Sequence, residues 1–271
     1  MSSSGNDRIG ELLDRAIDSV NRGDLATAYE LAEQVLLEDS GNRDASELLA
    51  ADGLSNGELR RLTILCCDLV GSTELSERQA PEQYRTLIRR YQRLVRSVVE
   101  ALHGGHIVSV KGDGFLALFG YPTAREDDTA RAVQAGLDLC RAVRRLSQQA
   151  QRELAEVLDV RVGVHRGLVF IDTEEDDVYG LTANLASRVE GLAAPGTVVI
   201  TEDVRQRVAD KFELTAGLPQ LVKGVTEPVR PFTVLGERVG GGDHLCSSPL
   251  VGRHVELAVL RSAWSAAGQG A

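Results

Sequence analysis

Two aspartates stand where acidic side chains could share a cation. Asp68 closes a short apolar run, Leu62 to Cys67, and Asp113 sits in Lys111-Gly112-Asp113-Gly114, a tight turn between two predicted strands. Carboxylates at adjacent strand ends can jointly hold a hard divalent cation, with phosphate oxygens filling its remaining positions. Each also has an ordinary use, as a turn residue or a helix cap. Gly71, Ser72 and Thr73 follow Asp68 and open a helix, so their backbone N–H groups suit phosphate oxygens. Asn184 and Arg188, four apart on a predicted helix, share one face. On their own they would be an exposed, solvated pair.

These residues need strands and helices to position them. The run from Leu62 to Cys67 predicts a buried strand. Residues 80–103 predict a long amphipathic helix, His106–Val110 and Phe115–Phe119 a hairpin, and 126–150 another long helix. Val160–Val164 and Leu168–Ile171 read as two strands, and 181–193 as a helix stopped by Ala194-Pro195-Gly196. Thr197–Ile200, the region around Phe212–Thr215, Leu218–Val222 and Val229–Leu235 supply further short strands. Hairpins mixed with crossovers indicate an α+β protein with its helices on one face of a mixed sheet. Upstream, 8–50 predicts two helices and a third short one. They resemble one tetratricopeptide-type unit or a plain helical hairpin, which cannot bury both faces alone.

The bulk numbers narrow the function classes. With 271 residues and a net charge of −10, the chain lacks the basic surface that coats nucleic acid, although a local pocket for a small anion remains open. Its four cysteines form no C-x-x-C pair, and adjacent Cys66 and Cys67 alternate faces on a strand, which predicts reduced, buried thiols. The opening MSSSGNDRIG has no apolar core of a secretory signal, and no apolar run approaches the roughly 18 residues of a membrane span. The expectation is a cytoplasmic protein with no nucleic-acid or membrane partner.

Five ordered segments carry a family resemblance. Thr63 to Thr73 (TILCCDLVGST) resembles the first metal-binding signature of class III adenylyl/guanylyl cyclases, and Gly112-Asp113-Gly114 the second. Arg161 to Gly167 (RVGVHRG), Asp177 to Arg188 (DVYGLTANLASR) and Leu221-Val222-Lys223-Gly224 with Pro228-Val229 resemble the family's later elements. The resemblance implies a ferredoxin-like cyclase fold, with a mixed, mainly antiparallel sheet, that converts ATP to 3′,5′-cyclic AMP and pyrophosphate. It implies Asp68 and Asp113 as ligands of two Mg²⁺ or Mn²⁺ ions per site. Asn184 and Arg188 would act at the ribose and the α-phosphate, Lys223 and Arg161 at the phosphates, and Asp177 at an adenine base. It also implies a head-to-tail homodimer with sites at its interface.

One position departs from the family pattern. Adenylyl members usually place a base-contacting lysine four residues before the second metal aspartate, and here that residue is Ser109. Lys111, on the same side of an extended strand, either substitutes for it or is a solvated turn residue. A guanylyl cyclase and a non-catalytic, nucleotide-sensing relative are the alternatives. A diguanylate cyclase is not, because Gly241-Gly242-Asp243-His244 lies in a glycine-rich linker without flanking strands. The expected organisation is a helical segment at 1–51, a linker at 52–60, the cyclase domain at 61–236, a second linker at 237–248, and 249–271. That last stretch resembles the start or a remnant of an AAA-like ATPase domain of the kind that follows some bacterial cyclases, and it has no phosphate-binding loop.

Overall fold

The computed structural model describes residues 3–50, 57–172, 177–179, 181–222 and 228–238. Three helices come first: α1 (Ser3–Asn21), α2 (Leu25–Glu38) and α3 (Arg43–Ala50). Asp24 caps α2, its carboxylate accepting from the Thr27 N–H at 3.2 Å. The apolar stripes of these helices pack together around Leu13, Ala16, Ala28, Val35 and Leu48, and their core continues into Leu59 and Leu168 of the sheet. Asn21 fastens the joint, because its side-chain amide exchanges two hydrogen bonds with the Leu59 backbone (2.8 and 2.9 Å).

The sheet follows. Its strands are β1 (Gly57–Leu69), β2 (His106–Lys111), β3 (Gly114–Phe119), β4 (Val160–Asp172), β5 (Asp177–Tyr179), β6 (Thr197–Ile200), β7 (Phe212–Ala216) and β8 (Phe232–Glu237). Their order is β2-β3-β1-β4-β6-β8-β7, with β5 also on β4. All pairings are antiparallel except the parallel β4–β6 pair, so the sheet is mixed and mainly antiparallel, as expected. The helices are α4 (Ser72–Arg78), α5 (Pro81–Arg96, running into a π-helical turn at Ser97–Leu102), α6 (Asp128–Leu154), α7 (Leu181–Glu190) and α8 (Glu202–Val208).

Strand alternation divides the core. Leu65, Cys67, Val160, Val162 and Val164 face α5, α6 and α8, whereas Leu62, Ile64, Cys66, Val169 and Ile171 face α7 through Ala186. The two cysteines thus point to opposite faces, and Cys66, Cys67 and Cys140 are free and buried. The expectation of helices on one face alone is corrected by α7, which covers the other. Its alanines let it lie close to the sheet, and Gly163 takes the closest approach: a Cβ there would stand 2.3 Å from the Glu190 backbone nitrogen.

Three further expectations change. The polar stretch 57–60 belongs to β1 and not to a linker, because β1 pairs with β4 from Gly57↔Asp172 onward. Val160–Val164 and Leu168–Ile171 are one 13-residue strand, carried through His165-Arg166-Gly167 by the unbroken ladder to β1. Leu218–Val222 forms no strand, only the single bridge Gln220↔Val229. Among the described residues no helix is long and apolar enough to cross a membrane. Lys223, Cys246 and the AAA-like stretch 249–271 lie outside the described residues.

Candidate active site

β1 delivers Asp68 to its C-terminal end, exposed at the rim of the sheet. The β2–β3 turn delivers Asp113 beside it, since Cys67 pairs with Phe115 on the adjoining strand. The two carboxyls lie within hydrogen-bond reach of one another. Packing around its carboxyl and the neighbouring Asp113 push Asp68 up to about 6, against the weaker opposing pull of Arg161. Gly114 lies alongside this approach, where a Cβ would make an ordinary 3.5 Å contact with Asp68 Oδ1. The turn is pinned by α5, whose Gln92 Nε2 donates to the Gly112 carbonyl at 2.9 Å.

The turn after Asp68 is held just as firmly. Gly71 has φ +69°, a left-handed conformation that favours glycine, and leads into α4 at Ser72 with Thr73 in its first turn. The Val70 N–H donates to the Asp159 carbonyl at 2.9 Å, and Arg78 and Gln79 at the far end of α4 both donate to Glu156 on the loop after α6. Arg161 is the register partner of Asp68 across the β1–β4 ladder.

Two buried atoms here lack hydrogen-bond partners, Asp113 Oδ2 and Arg161 Nε. Buried polar atoms are nearly always satisfied, so this anion and this cation are two groups that a bound ligand can complete. They fit a divalent cation on the carboxylates and a phosphate on the arginine. Among the described residues no cluster of three or more His, Cys, Asp and Glu side chains could hold a metal by itself. A pair of carboxylates with the remaining positions left to phosphate oxygens is the usual way proteins hold Mg²⁺ beside a nucleotide.

A cavity of about 320 Å³ opens next to Asp68. Ser109 and Lys111 both border it, together with Cys66, Leu116, Asn184 and Glu190. Neither Asp113 nor Arg188 is on its border, so α7 presents Asn184 but not Arg188 to the Asp68 cavity of its own chain. Asp177 lies on β5, its backbone paired with Asp172.

Glu190, at the end of α7, was missed by the sequence reading. Burial, then Asp68, push its carboxyl up to about 7, which makes it the third acid of the site. The available signal was Gly163 in the RVGVHRG strand, where a missing side chain implies a backbone pressed against it, here that of Glu190.

A family model described as the adenylate and guanylate cyclase catalytic domain matches residues 55–236, joining this geometry to the five motif segments. The chain belongs to that family. Class III cyclases of known structure share its fold. The adenylyl cyclase CyaB from P. aeruginosa is 25% identical, with a TM-score of 0.64 over 69% of this chain and 98% of that one. The guanylyl cyclase Cya2 is 31% identical, with a TM-score of 0.62 over 69% and 97%. An uncharacterised protein of Rhizobium meliloti is 29% identical over 226 residues, 79% of this chain. The chain spans 22% of that relative's length.

Proposed function

We propose that the cyclase domain converts a nucleoside triphosphate, preferentially ATP, into the 3′,5′-cyclic nucleotide and pyrophosphate. The reading is carried by Asp68 and Asp113, which converge on one point beside Arg161, whose Nε has no hydrogen-bond partner. Asp68 and Asp113 would hold two Mg²⁺ or Mn²⁺ ions, which when bound make the 3′-hydroxyl more acidic and neutralise the phosphates. In the reaction the 3′-oxygen bonds to the α-phosphorus, the bond to the β-phosphate oxygen breaks, and the hydroxyl proton is lost.

The other groups bind and orient. Backbone N–H groups of Gly71, Ser72 and Thr73, with Arg161 and Lys223, take phosphate oxygens. Asn184 orients the ribose, and Arg188 meets the charge that grows on the α-phosphate. Asp177 and Ser109 face the base. Asn184 borders the Asp68 cavity of its own chain and Arg188 does not, so Arg188 is the group that a second chain arranged head to tail would lend. Val110, an apolar side chain left 38% exposed beside this site, suits such an interface.

A guanylyl cyclase is the second reading. Ser109 stands where adenylyl members carry lysine, and identity is 31% to the guanylyl cyclase Cya2 against 25% to the adenylyl cyclase CyaB. Purified protein assayed with ATP and with GTP, each with Mg²⁺ and with Mn²⁺, separates the two. Cyclic AMP as the main product is expected, and no cyclic product under any condition leaves a nucleotide-sensing relative. Mixing inactive Asp68→Ala with inactive Arg188→Ala is expected to restore part of the activity, because one site of a mixed dimer regains all its groups. Failure to recover, with subunit exchange shown, would place the whole site in one chain.

A further inference from the structure

A second cleft, of about 380 Å³, lies where the helical segment meets the sheet, and it shares no lining residue with the Asp68 cavity. Three arginines face it from three elements: Arg61 on β1, Arg166 on β4 and Arg207 on α8. The Arg61 side chain is only 9% exposed, and its Nε makes no hydrogen bond although Asp44 Oδ2 lies 3.2 Å away. The guanidiniums of Arg166 and Arg207 have neither an ion-pair nor a hydrogen-bond partner among the described residues. Burial, Arg207 and Arg61 together push Arg166 below the ordinary arginine range, to about 9. An arginine does not shed its charge to relieve such crowding.

The acids of the cleft offset these charges only in part: Asp44 Oδ2 pairs with Arg61, and Asp44 and Asp203 reach Arg166 and Arg207 through the longer-range field alone. Asp39 accepts from the Gly41 N–H and the Asn42 side chain in its own turn. Asp44 Oδ1 accepts from the Leu168 N–H at 3.2 Å. Asp203 is 64% exposed and lies 4.0 Å from His165. Asp14 reaches Arg166 and Arg207 only through the longer-range field. Ile9 and Leu13 of α1 add an apolar wall.

We propose that this cleft binds a small phosphorylated anion, its phosphate held by Arg61, Arg166 and Arg207 and the rest of the molecule lying against Ile9 and Leu13. Guanidinium forks suit phosphate because they offer paired, charge-assisted donors. The volume is at the small end of ligand sites, which fits a phosphate monoester no larger than a mononucleotide. The ligand would tie the helical segment to the cyclase domain. It would also act close to the catalytic helix: Asp44, the partner of Arg61, lies beside Gly167, and a Cβ on Gly167 would meet Thr182 in the first turn of α7 at 2.8 Å. The site is additional to nucleotide cyclisation and does not rest on it.

Calorimetric titration in EDTA tests the proposal, because without divalent cations the Asp68 and Asp113 pair gives phosphate no help. The probes are inorganic phosphate and adenosine 5′-monophosphate, with adenosine and ionic-strength-matched sodium chloride as controls. Saturable one-to-one binding of at least one phosphate probe is expected, and the tighter of the two identifies the source as inorganic or organic. Arg166→Gln and Arg207→Gln should each weaken it by about tenfold or more, whereas Arg161→Gln, which removes the phosphate-facing cation beside Asp68, should leave it unchanged. Arg207 is exposed on α8, so its variant keeps the test open if Arg166→Gln fails to fold. The proposal is overturned by no saturable binding up to about 10 mM, by binding indifferent to both Arg166→Gln and Arg207→Gln, or by binding that Arg161→Gln removes.

Discussion

Asp68 and Arg161 are register partners near the end of the β1–β4 ladder, so backbone pairing alone sets the first carboxylate of the site beside a cation that attracts it. Asp113 approaches the same carboxylate from the β2–β3 turn, and without a metal the two acids repel. Asp68→Ala and Asp113→Ala should therefore each lower turnover by roughly a hundredfold or more, the scale of losing a group that stabilises developing charge. Neither should lower the melting temperature in EDTA, since truncation removes a repulsion and opens no core cavity. Binding of Mn²⁺ to the unmodified protein should weaken as pH falls through about 6, where Asp68 regains its proton. Paired activity and melting measurements decide the matter, and a large loss of stability in both variants would make the carboxylates structural.

Gly163 seats α7 on the sheet. A Cβ there would meet the Glu190 nitrogen at 2.3 Å and its Cα at 2.6 Å, and backbone cannot yield as a flexible side chain can. Gly163→Ala should cost about 1–3 kcal/mol, as overpacking a tight contact does. It should cost activity disproportionately, because the displaced α7 carries Asn184 and Arg188. Urea unfolding and turnover on the same preparation check this, and an unchanged midpoint with unchanged turnover would contradict the proposed seat.

The parts of the site visible in the sequence were those encoded locally. The apolar run before Asp68, the turn around Asp113 and the four-residue spacing of Asn184 and Arg188 each lie within a short window. What stayed hidden depends on distant residues. β4 reads as two strands because His165-Arg166-Gly167 interrupts its apolar alternation. It continues because β1 pairs with it throughout and because Asp44, 124 positions away, accepts the Leu168 N–H. Leu218–Val222 is apolar enough to read as a strand but finds one bridging partner, and Pro219, with no backbone N–H to donate, is the local signal against it. Glu190 ends a helix as many glutamates do, and only the packing of α7 on Gly163 brings it to Asp68.

His165 should set part of the acid limit of the fold. Its side chain is 3% exposed and its Nδ1 shares a 2.9 Å hydrogen bond with the Thr201 hydroxyl. Burial pushes it down to about 4 from an ordinary 6.5. Between those values the unfolded chain binds the proton that the folded chain refuses. The contribution is whole above about pH 6.5 and is lost as pH falls toward 4, by up to about 3 kcal/mol. Asp68 and Glu190, raised to about 6 and about 7, act in the opposite sense over part of the same range. Subtracting the stability of His165→Asn, whose amide can keep the Thr201 contact, isolates the histidine. A difference that stays flat from pH 7 to pH 4 would show that His165 does not titrate in this range.

The base pocket gives the last prediction. Ser109 and Lys111 both border the Asp68 cavity, and Lys111 is exposed at its edge. A serine cannot reach a purine edge as a lysine does. One missing hydrogen bond in a buried pocket is worth about 1–3 kcal/mol, roughly ten- to a hundredfold in preference. ATP should therefore be favoured over GTP by a modest margin, through Asp177. Ser109→Lys should widen that margin and raise turnover, because the cavity bordered by Cys66 and Leu116 leaves room for a longer side chain. Lys111→Ala separates two roles for the neighbouring lysine: a fall in ATP preference means that it reaches the base, and no change means that it stays in solvent. The ratio of kcat/KM values for ATP and GTP measures each case, and a clear preference for GTP in the unmodified protein would overturn the adenylyl assignment while leaving cyclisation intact.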